Sequence, residues 1–532
     1  MILRTSINLA LATALFGTAT ALAAAPKPAC KTTAECNAQA AKIGTSAGIR
    51  EAGPTSELDA QEDQFYWLNK INKASAVMLL EQGIINKEMA ATLARGVDHT
   101  IRQASTEGGK RPSDVLQIER IISDEVGPDA SLIHTGRSRQ DMYATFRMAR
   151  LRTQMLDYYE AMLELRSNLQ KLAAENVDTI LPAYTNGVQA MPISLAHYLL
   201  AYDASFERDV QRFHSLYTRM NRSAMGTAVL ANSSWPLNRE RMADLLGFDG
   251  IIENSLDAGQ VAPSDVSLEA MGLLSSGAIR IGAILADIHT QYHQTRPWLL
   301  LDESATYSSS AMPQKRNPGL IMRAREAASN VVGLTHTVTL RAHNVSTGMT
   351  DYKNPWSEIG AITQAVATIK STNRVLAALK VNPERALEEL EDDWTTSMEL
   401  AEVLQREHAV PFRVGHSFAS AIVSHARKEN LRPKEFPYSV AAELYKKGLQ
   451  DYSLPEAEFP LSEERFHDVL SPRTMVETRQ GTGGPQPQEV KRMLEQARDQ
   501  QQNAEQWLTE KRQKLAEADK RLDEQFTALL PK

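Results

Sequence analysis

An all-α or nearly all-α protein is predicted, on three observations. Apolar residues recur at helical spacing through most of the chain, the tracts that carry them are long, and strand-like alternation is hardly visible. The first tract places Leu68, Ile71, Ala74, Val77 and Leu80 three residues apart and stops at Gly83; a second follows from about Lys87 to Val97. Longer tracts cover residues 143–175, 193–220, 268–294 and 319–342. Several exceed the roughly 8–20 residues of an ordinary globular helix, a length that suits a bundle.

At 532 residues the chain is too long for a single core. The expected organisation is an N-terminal arm over 24–60, a helical domain over 61–135, a central bundle over 136–379, and a C-terminal helical domain over 380–497 that opens at Val381-Asn382-Pro383. The tail, 498–532, is charged and Gln-rich and reads as an exposed helix with little apolar surface. A composition of 42% hydrophobic and 23% charged residues fits a soluble globular protein. With 58 basic and 65 acidic side chains, net −7, there is no basic excess to neutralise phosphates, so no nucleic-acid partner is expected.

Arg4 precedes an apolar run from Ile7 to about Ala19, and Ala21-Leu22-Ala23 offers small residues for cleavage. This is a signal-peptide pattern over 1–23, with a mature start near Ala24. The run is shorter than the roughly 20 residues of a spanning helix, so no stable membrane anchor is expected and the location is periplasmic or secreted. Cys30 and Cys36, the two cysteines of the chain, then meet an oxidising compartment and are expected to form a small-loop disulfide. No acidic or histidine cluster accompanies them, which argues against a metal site.

Three polar segments lie between helical tracts, where a rigid scaffold usually carries function. In Ile133-His134-Thr135-Gly136-Arg137-Ser138-Arg139-Gln140-Asp141, guanidinium forks match carboxylates, or the charges are simply solvated at a helix N-terminus. In Pro182-Ala183-Tyr184-Thr185-Asn186-Gly187-Val188-Gln189-Ala190-Met191-Pro192, hydroxyl and amides bond a ligand or cap the next helix. In Ser308-Ser309-Ser310-Ala311-Met312-Pro313-Gln314-Lys315-Arg316-Asn317-Pro318, a serine beside cations is poised to accept a proton, because positive charge stabilises its alkoxide.

The third segment resembles the fumarase/aspartase superfamily signature Gly-Ser-Ser-x-Met-Pro-x-Lys-x-Asn-Pro, with Ser308 at the leading glycine. The first resembles the argininosuccinate lyase motif His-Thr-Gly-Arg-Ser-Arg-Asn-Asp, with Gln140 at the asparagine. Further likeness lies at Gly247-Phe248-Asp249-Gly250, Asn254-Ser255-Leu256-Asp257-Ala258, Trp394-Thr395-Thr396-Ser397, Val410-Pro411-Phe412-Arg413 and Gly483-Gly484, so the resemblance spans most of 68–497. It implies a three-domain helical homotetramer with a central bundle and active sites each assembled from three subunits. The implied reaction removes a proton beside a carboxylate, passes through an aci-carboxylate and expels an amine to give fumarate, with no cofactor. It implies Ser309 as base, Lys315 and Asn317 as carboxylate ligands, and Ser138, Arg137, Gln140, Thr185 and Tyr352 as further contacts to a small amino-dicarboxylate.

The pattern breaks at the family's Tyr-Thr-His, where the acid position is Asn186, and at its partner glutamate, which is Met322. An amide cannot protonate a leaving amine, so that acid route is closed. His197 lies nearby in what resembles an ordinary family helix and is read as structural. The segment resembling the arginine-binding stretch is Tyr352-Lys353-Asn354-Pro355-Trp356-Ser357-Glu358, without the family's glutamine and final lysine. Two readings follow: a carbon–nitrogen lyase acting on argininosuccinate or a related N-substituted aspartate, or a catalytically inactive dicarboxylate-binding homologue.

Overall fold

The computed structural model describes residues 62–349, 353 and 356–531, and of Trp356 only the backbone. The expected leader, the arm with Cys30 and Cys36, and Tyr352 lie outside the described residues. The described residues open with α1 (Gln64–Glu81), α2 (Lys87–Ser105) and α3 (Val115–Val126). Each starts on a capping side chain, Asp63, Asn86 or Asp114, that accepts from a first-turn amide. A 3-10 turn (Pro128–His134) then leads into α4 (Arg139–Ala174), 36 residues long.

Five long helices form the bundle: α4, α5 (Leu195–Met220), α7 (Ala262–Thr290), α8 (Gly319–Ala342) and α9 (Trp356–Ala377), packed mutually along their lengths. Between α5 and α7 lie the short α6 (Arg239–Leu245) and a π turn (Asp257–Val261). The mostly helical expectation is met, with three small two-stranded sheets among the described residues that the sequence does not foretell: β1 (Ile180–Thr185) with β2 (Val188–Ser194), β3 (Leu299–Leu301) with β6 (Leu379–Val381), and β4 (Tyr307–Ser308) with β5 (Arg316–Asn317). All are antiparallel.

After β6 come α10 (Pro383–Glu391), α11 (Ser397–His408), α12 (Phe412–Glu429), α13 (Tyr438–Asp451), α14 (Glu463–Val469) and α15 (Pro472–Glu477). Helices α11 to α14 enclose a separate aromatic core, in which Phe418, Phe436, Phe459 and Phe466 meet edge-on or tilted beside Trp394.

The last element corrects the reading of the tail. α16 (Pro487–Thr527) is one 41-residue helix that runs unbroken through residue 498 and lies against α1, α4, α5 and α6. Val490, Leu494, Ala497, Gln501, Ala504, Leu508, Ala518, Leu522 and Phe526 are buried, so the tail is part of the main core and not a solvated appendage. Its apolar residues are few but fall three and four apart on one stripe. Polar locks reinforce it: Gln501 Nε2 donates to Leu163 O at 3.0 Å, and Gln170 Nε2 donates to Ala497 O at 3.3 Å. Lys70 pairs with Asp519, and Lys73 with Asp523 at 2.8 Å.

Candidate active site

The first polar segment caps α4. Ser138 Oγ accepts from Gln140 N at 3.2 Å, while Asp141 Oδ1 accepts from Ser138 N at 2.9 Å, a reciprocal capping box. Both terminal nitrogens of Arg137 are engaged inside the protein, on Ser75 Oγ (2.8 Å) and Asn72 Oδ1 (2.6 Å) of α1. That geometry anchors the segment to α1 and leaves no free fork for a substrate carboxylate; burial lowers the guanidinium to about 10. Burial, helped by Arg137 and Arg139, lowers His134 to about 4, so it is neutral at pH 7. Ser138 and Gln140 are half-buried at the segment's surface.

Asp141 also reaches a loop that sequence reasoning missed. Its Oδ2 accepts from Ala228 N at 3.0 Å, and burial raises its carboxyl to about 6 despite these bonds. In that loop Ala228, Val229 and Asn232 all have positive φ (46°, 84° and 65°), a conformation costly above all for β-branched Val229. The loop is over-determined: Ser255 Oγ donates to Leu230 O at 2.9 Å, and a Cβ on Gly259 would lie 2.5 Å from Val229 O. Gly136 faces it as well, its Cβ position 2.7 Å from Leu237 Cδ1. Lys353 lies at this same end, buried, with its ammonium on Gln260 Oε1 and its carbonyl accepting from Arg147 Nη1 at 2.7 Å. Burial and the Arg147 cation lower it to about 8.

The second segment is the tip of the β1–β2 hairpin, and not a helix cap. Thr185 pairs with Val188, so Asn186 and Gly187 are the two turn residues, with φ 52° and 77°. Positive φ at both central positions defines the type I′ turn that Asn-Gly favours. Thr185 and Asn186 are exposed there. His197, at the start of α5, bonds Gly483 O at 3.0 Å, which ties α5 to the residues ahead of α16 and fits a structural role.

The third segment is the β4–β5 loop. Ser309 Oγ accepts from Ala311 N (3.3 Å) and Met312 N (3.1 Å), two backbone dipoles that favour the oxygen's anionic form. Asn317 Nδ2 donates to Tyr307 O at 3.2 Å, closing the loop's base. Lys315 is exposed on the loop, and Met322 is 47% exposed on the first turn of α8.

These segments do not meet within one chain. Ser138 and the hairpin flank opposite ends of α4, about 54 Å apart at 1.5 Å per residue over its 36 residues. The Ser309 loop shares the hairpin's end, because β3 pairs with β6, which leads into α10, and α10 touches the hairpin. A cavity of about 560 Å³ opens midway, among α1, α4, α9 and α16, and none of the three segments lines it.

The profile of a family described as Lyase matches residues 68–333, and one described as Argininosuccinate lyase C-terminal matches 394–477. The chain is 31% identical over 484 residues to the argininosuccinate lyase of Methanocaldococcus jannaschii, covering 89% of this chain and 96% of that one. It is 30% identical over 465 residues to argininosuccinate lyase 1 of Shouchella clausii, covering 86% and 91%. Among solved structures, a variant of EDDS lyase with bound fumarate superposes with a TM-score of 0.78 at 27% identity, over 88% of this chain and 92% of that one.

The chain belongs to the fumarase/aspartase superfamily, in its argininosuccinate lyase-like branch.

Within this lyase the hairpin carries a clasp that sequence reasoning also missed. Glu389 of α10 accepts from Tyr184 Oη at 2.8 Å and from Gln189 Nε2 at 2.7 Å. Burial and this carboxylate push the Tyr184 phenol well above its usual range, so it acts here as a donor. The Asn-Gly dipeptide is the signal for the hairpin; nothing in the sequence singles out Glu389.

Proposed function

We infer that the protein is a carbon–nitrogen lyase that eliminates an amine from an N-substituted aspartate and gives fumarate. The observation that carries this reading is likeness, along nearly the whole chain, to argininosuccinate lyases and to EDDS lyase, with Ser309, Lys315 and Asn317 retained on the β4–β5 segment. Ser309, as alkoxide, takes the proton from the carbon beside a carboxylate. The resulting aci-carboxylate carries extra negative charge, stabilised by Lys315 and by amide donors such as Asn317. The carbon–nitrogen bond then breaks, its electron pair leaves with nitrogen, and the carbon–carbon double bond of fumarate forms. Ser138, Gln140, Thr185 and Tyr352 contact the dicarboxylate.

Asn186 occupies the acid position of the family and supplies no proton; water or the substrate's own amine does so. The I′ turn supports this, because Asn186 holds a left-handed position that asparagine tolerates well. The assembly is a homotetramer whose sites combine segments from three copies. Two features support it: the distance between the segments, and the exposed apolar residues Val261, Ile279, Met322 and Leu340 along and beside α7 and α8. With the turn before it, α7 is long and apolar enough to cross a bilayer, but half of that stretch is buried in the bundle. The signal-like residues 1–23 support export to the periplasm or beyond, with Cys30 and Cys36 bridged.

The test is fumarate absorbance during incubation of the chain from Ala24 with argininosuccinate, aspartate and a panel of N-substituted aspartates. Release from one member establishes the substrate. Silence across the panel, with dicarboxylates still raising the melting temperature, identifies the inactive dicarboxylate-binding homologue that Asn186 and Met322 suggest.

A further inference from the structure

The hairpin and the run of chain that leads toward the Ser309 loop are both fastened to the same nine-residue helix, α10. On its hairpin side, Glu389 Oε1 accepts from Tyr184 and Gln189, which face each other across β1 and β2, so one oxygen closes both strands. A lone two-stranded ribbon is marginal in water, and the position of its tip depends on such outside contacts. Glu389 Oε2 faces Arg385 Nη2 at 3.5 Å. Arg385 Nε donates in turn to Arg296 O at 2.9 Å, and Asn382 N donates to Trp298 O at 2.8 Å. Residues 296–298 are the root of the run that becomes β3 and the Ser309 loop, and Arg296 itself forks onto Glu388 at 2.8 and 2.9 Å. Arg385 and Glu389 are 18% and 11% exposed, which screens their pairing less than that of a surface pair.

We propose that the Arg385–Glu389 pair is a positioning device that holds the Thr185–Asn186 tip and the root of the Ser309 loop in one fixed relation. This rests on the lyase reading of Thr185 and Ser309. Neither residue of the pair touches the reacting atoms; each acts through the segment it holds. Because a single carboxylate serves both arms, the arms can be cut separately. Glu389→Gln keeps a carbonyl for Tyr184 and Gln189 but turns an amide donor toward Arg385. Glu389→Ala removes the hairpin bonds and leaves Arg385 without its carboxylate, and Arg385→Ala removes the bond to Arg296.

The experiment combines steady-state kinetics on the substrate identified above with amide hydrogen exchange. For Glu389→Ala, KM rises about tenfold and kcat falls, because misplacement of a positioned group is costly even at a distance. For Glu389→Gln and Arg385→Ala, kcat falls while KM stays near the wild-type value. Exchange accelerates at residues 183–190 in Glu389→Ala alone, and at residues 299–308 in all three variants. A merely structural role lowers kcat of all three variants in proportion to the folded fraction and leaves the KM of Glu389→Ala in place. An unchanged KM in Glu389→Ala, or identical exchange patterns in Glu389→Ala and Glu389→Gln, overturns the proposal. Failure of the wild type to convert any substrate sinks the lyase reading instead, while the exchange pattern still decides whether the bracket exists.

Discussion

The two ends of the central bundle handle polar residues in opposite ways. At the Ser138 end, Arg137, Asp141 and Lys353 are buried, bonded to the protein and displaced in pKa, and a loop with three left-handed non-glycine residues is held from several sides. At the other end Thr185, Asn186 and Lys315 are exposed, and Ser309 is bonded only to amides of its own loop. One end holds its polar groups in fixed internal bonds and the other presents them to solvent. These ends are separated by the length of α4, so the Ser138 segment and the Ser309 loop do not meet within one copy of the chain.

The largest expected effect is at the presenting end. Ser309→Ala lowers kcat about 10²–10⁴-fold, as loss of a positioned base does, yet changes unfolding free energy by only about 1 kcal/mol, because two local bonds on a half-buried serine are lost. A matching loss of stability, measured by denaturant unfolding, breaks the contrast. Asp141→Asn does the reverse and shows in stability. The folded-state pKa of Asp141, about 6, is above its ordinary 3.8, so its contribution is fully present below pH 4 and is lost as pH rises through 6. The gap between wild type and variant therefore widens on acidification from pH 7 to 4, by on the order of 3 kcal/mol, the free energy that separates those two pKa values. A gap independent of pH removes Asp141 from the clamp. The smallest effect is at the turn: Asn186→Ala costs about 1 kcal/mol of hairpin stability by exchange, and Asn186→Gly almost nothing, because only alanine resists positive φ.

The long helices are legible in the sequence because their apolar spacing is regular; α8 begins and ends where the periodicity does. The three reactive segments are legible as motifs, but their placement is not. The hairpin escapes notice because its strands alternate poorly, and Thr185-Asn186-Gly187 passes for a cap although Asn-Gly is itself a hairpin signal. The tail misleads because Gln501 and two alanines occupy its buried stripe, which hides a three-and-four spacing among charges. Arg137 looks like a ligand fork, and only its bonds to Asn72 and Ser75 show that its nitrogens are committed. Arg385 and Glu389 show only the four-residue spacing of an ordinary helix ion pair, and Glu389's hairpin partners lie about 200 residues away, so its clasp has no local signal.

The packing of α16 on α1 sets an order of events for the newborn chain. Lys70 and Lys73 wait for Asp519 and Asp523, partners roughly 450 positions downstream, and Phe526 joins the same core. Contacts of such sequence separation close late, after the intervening loops have been organised. Helix α1 therefore keeps an open flank until α16 has been made, and a chain halted before α16 leaves that flank bare.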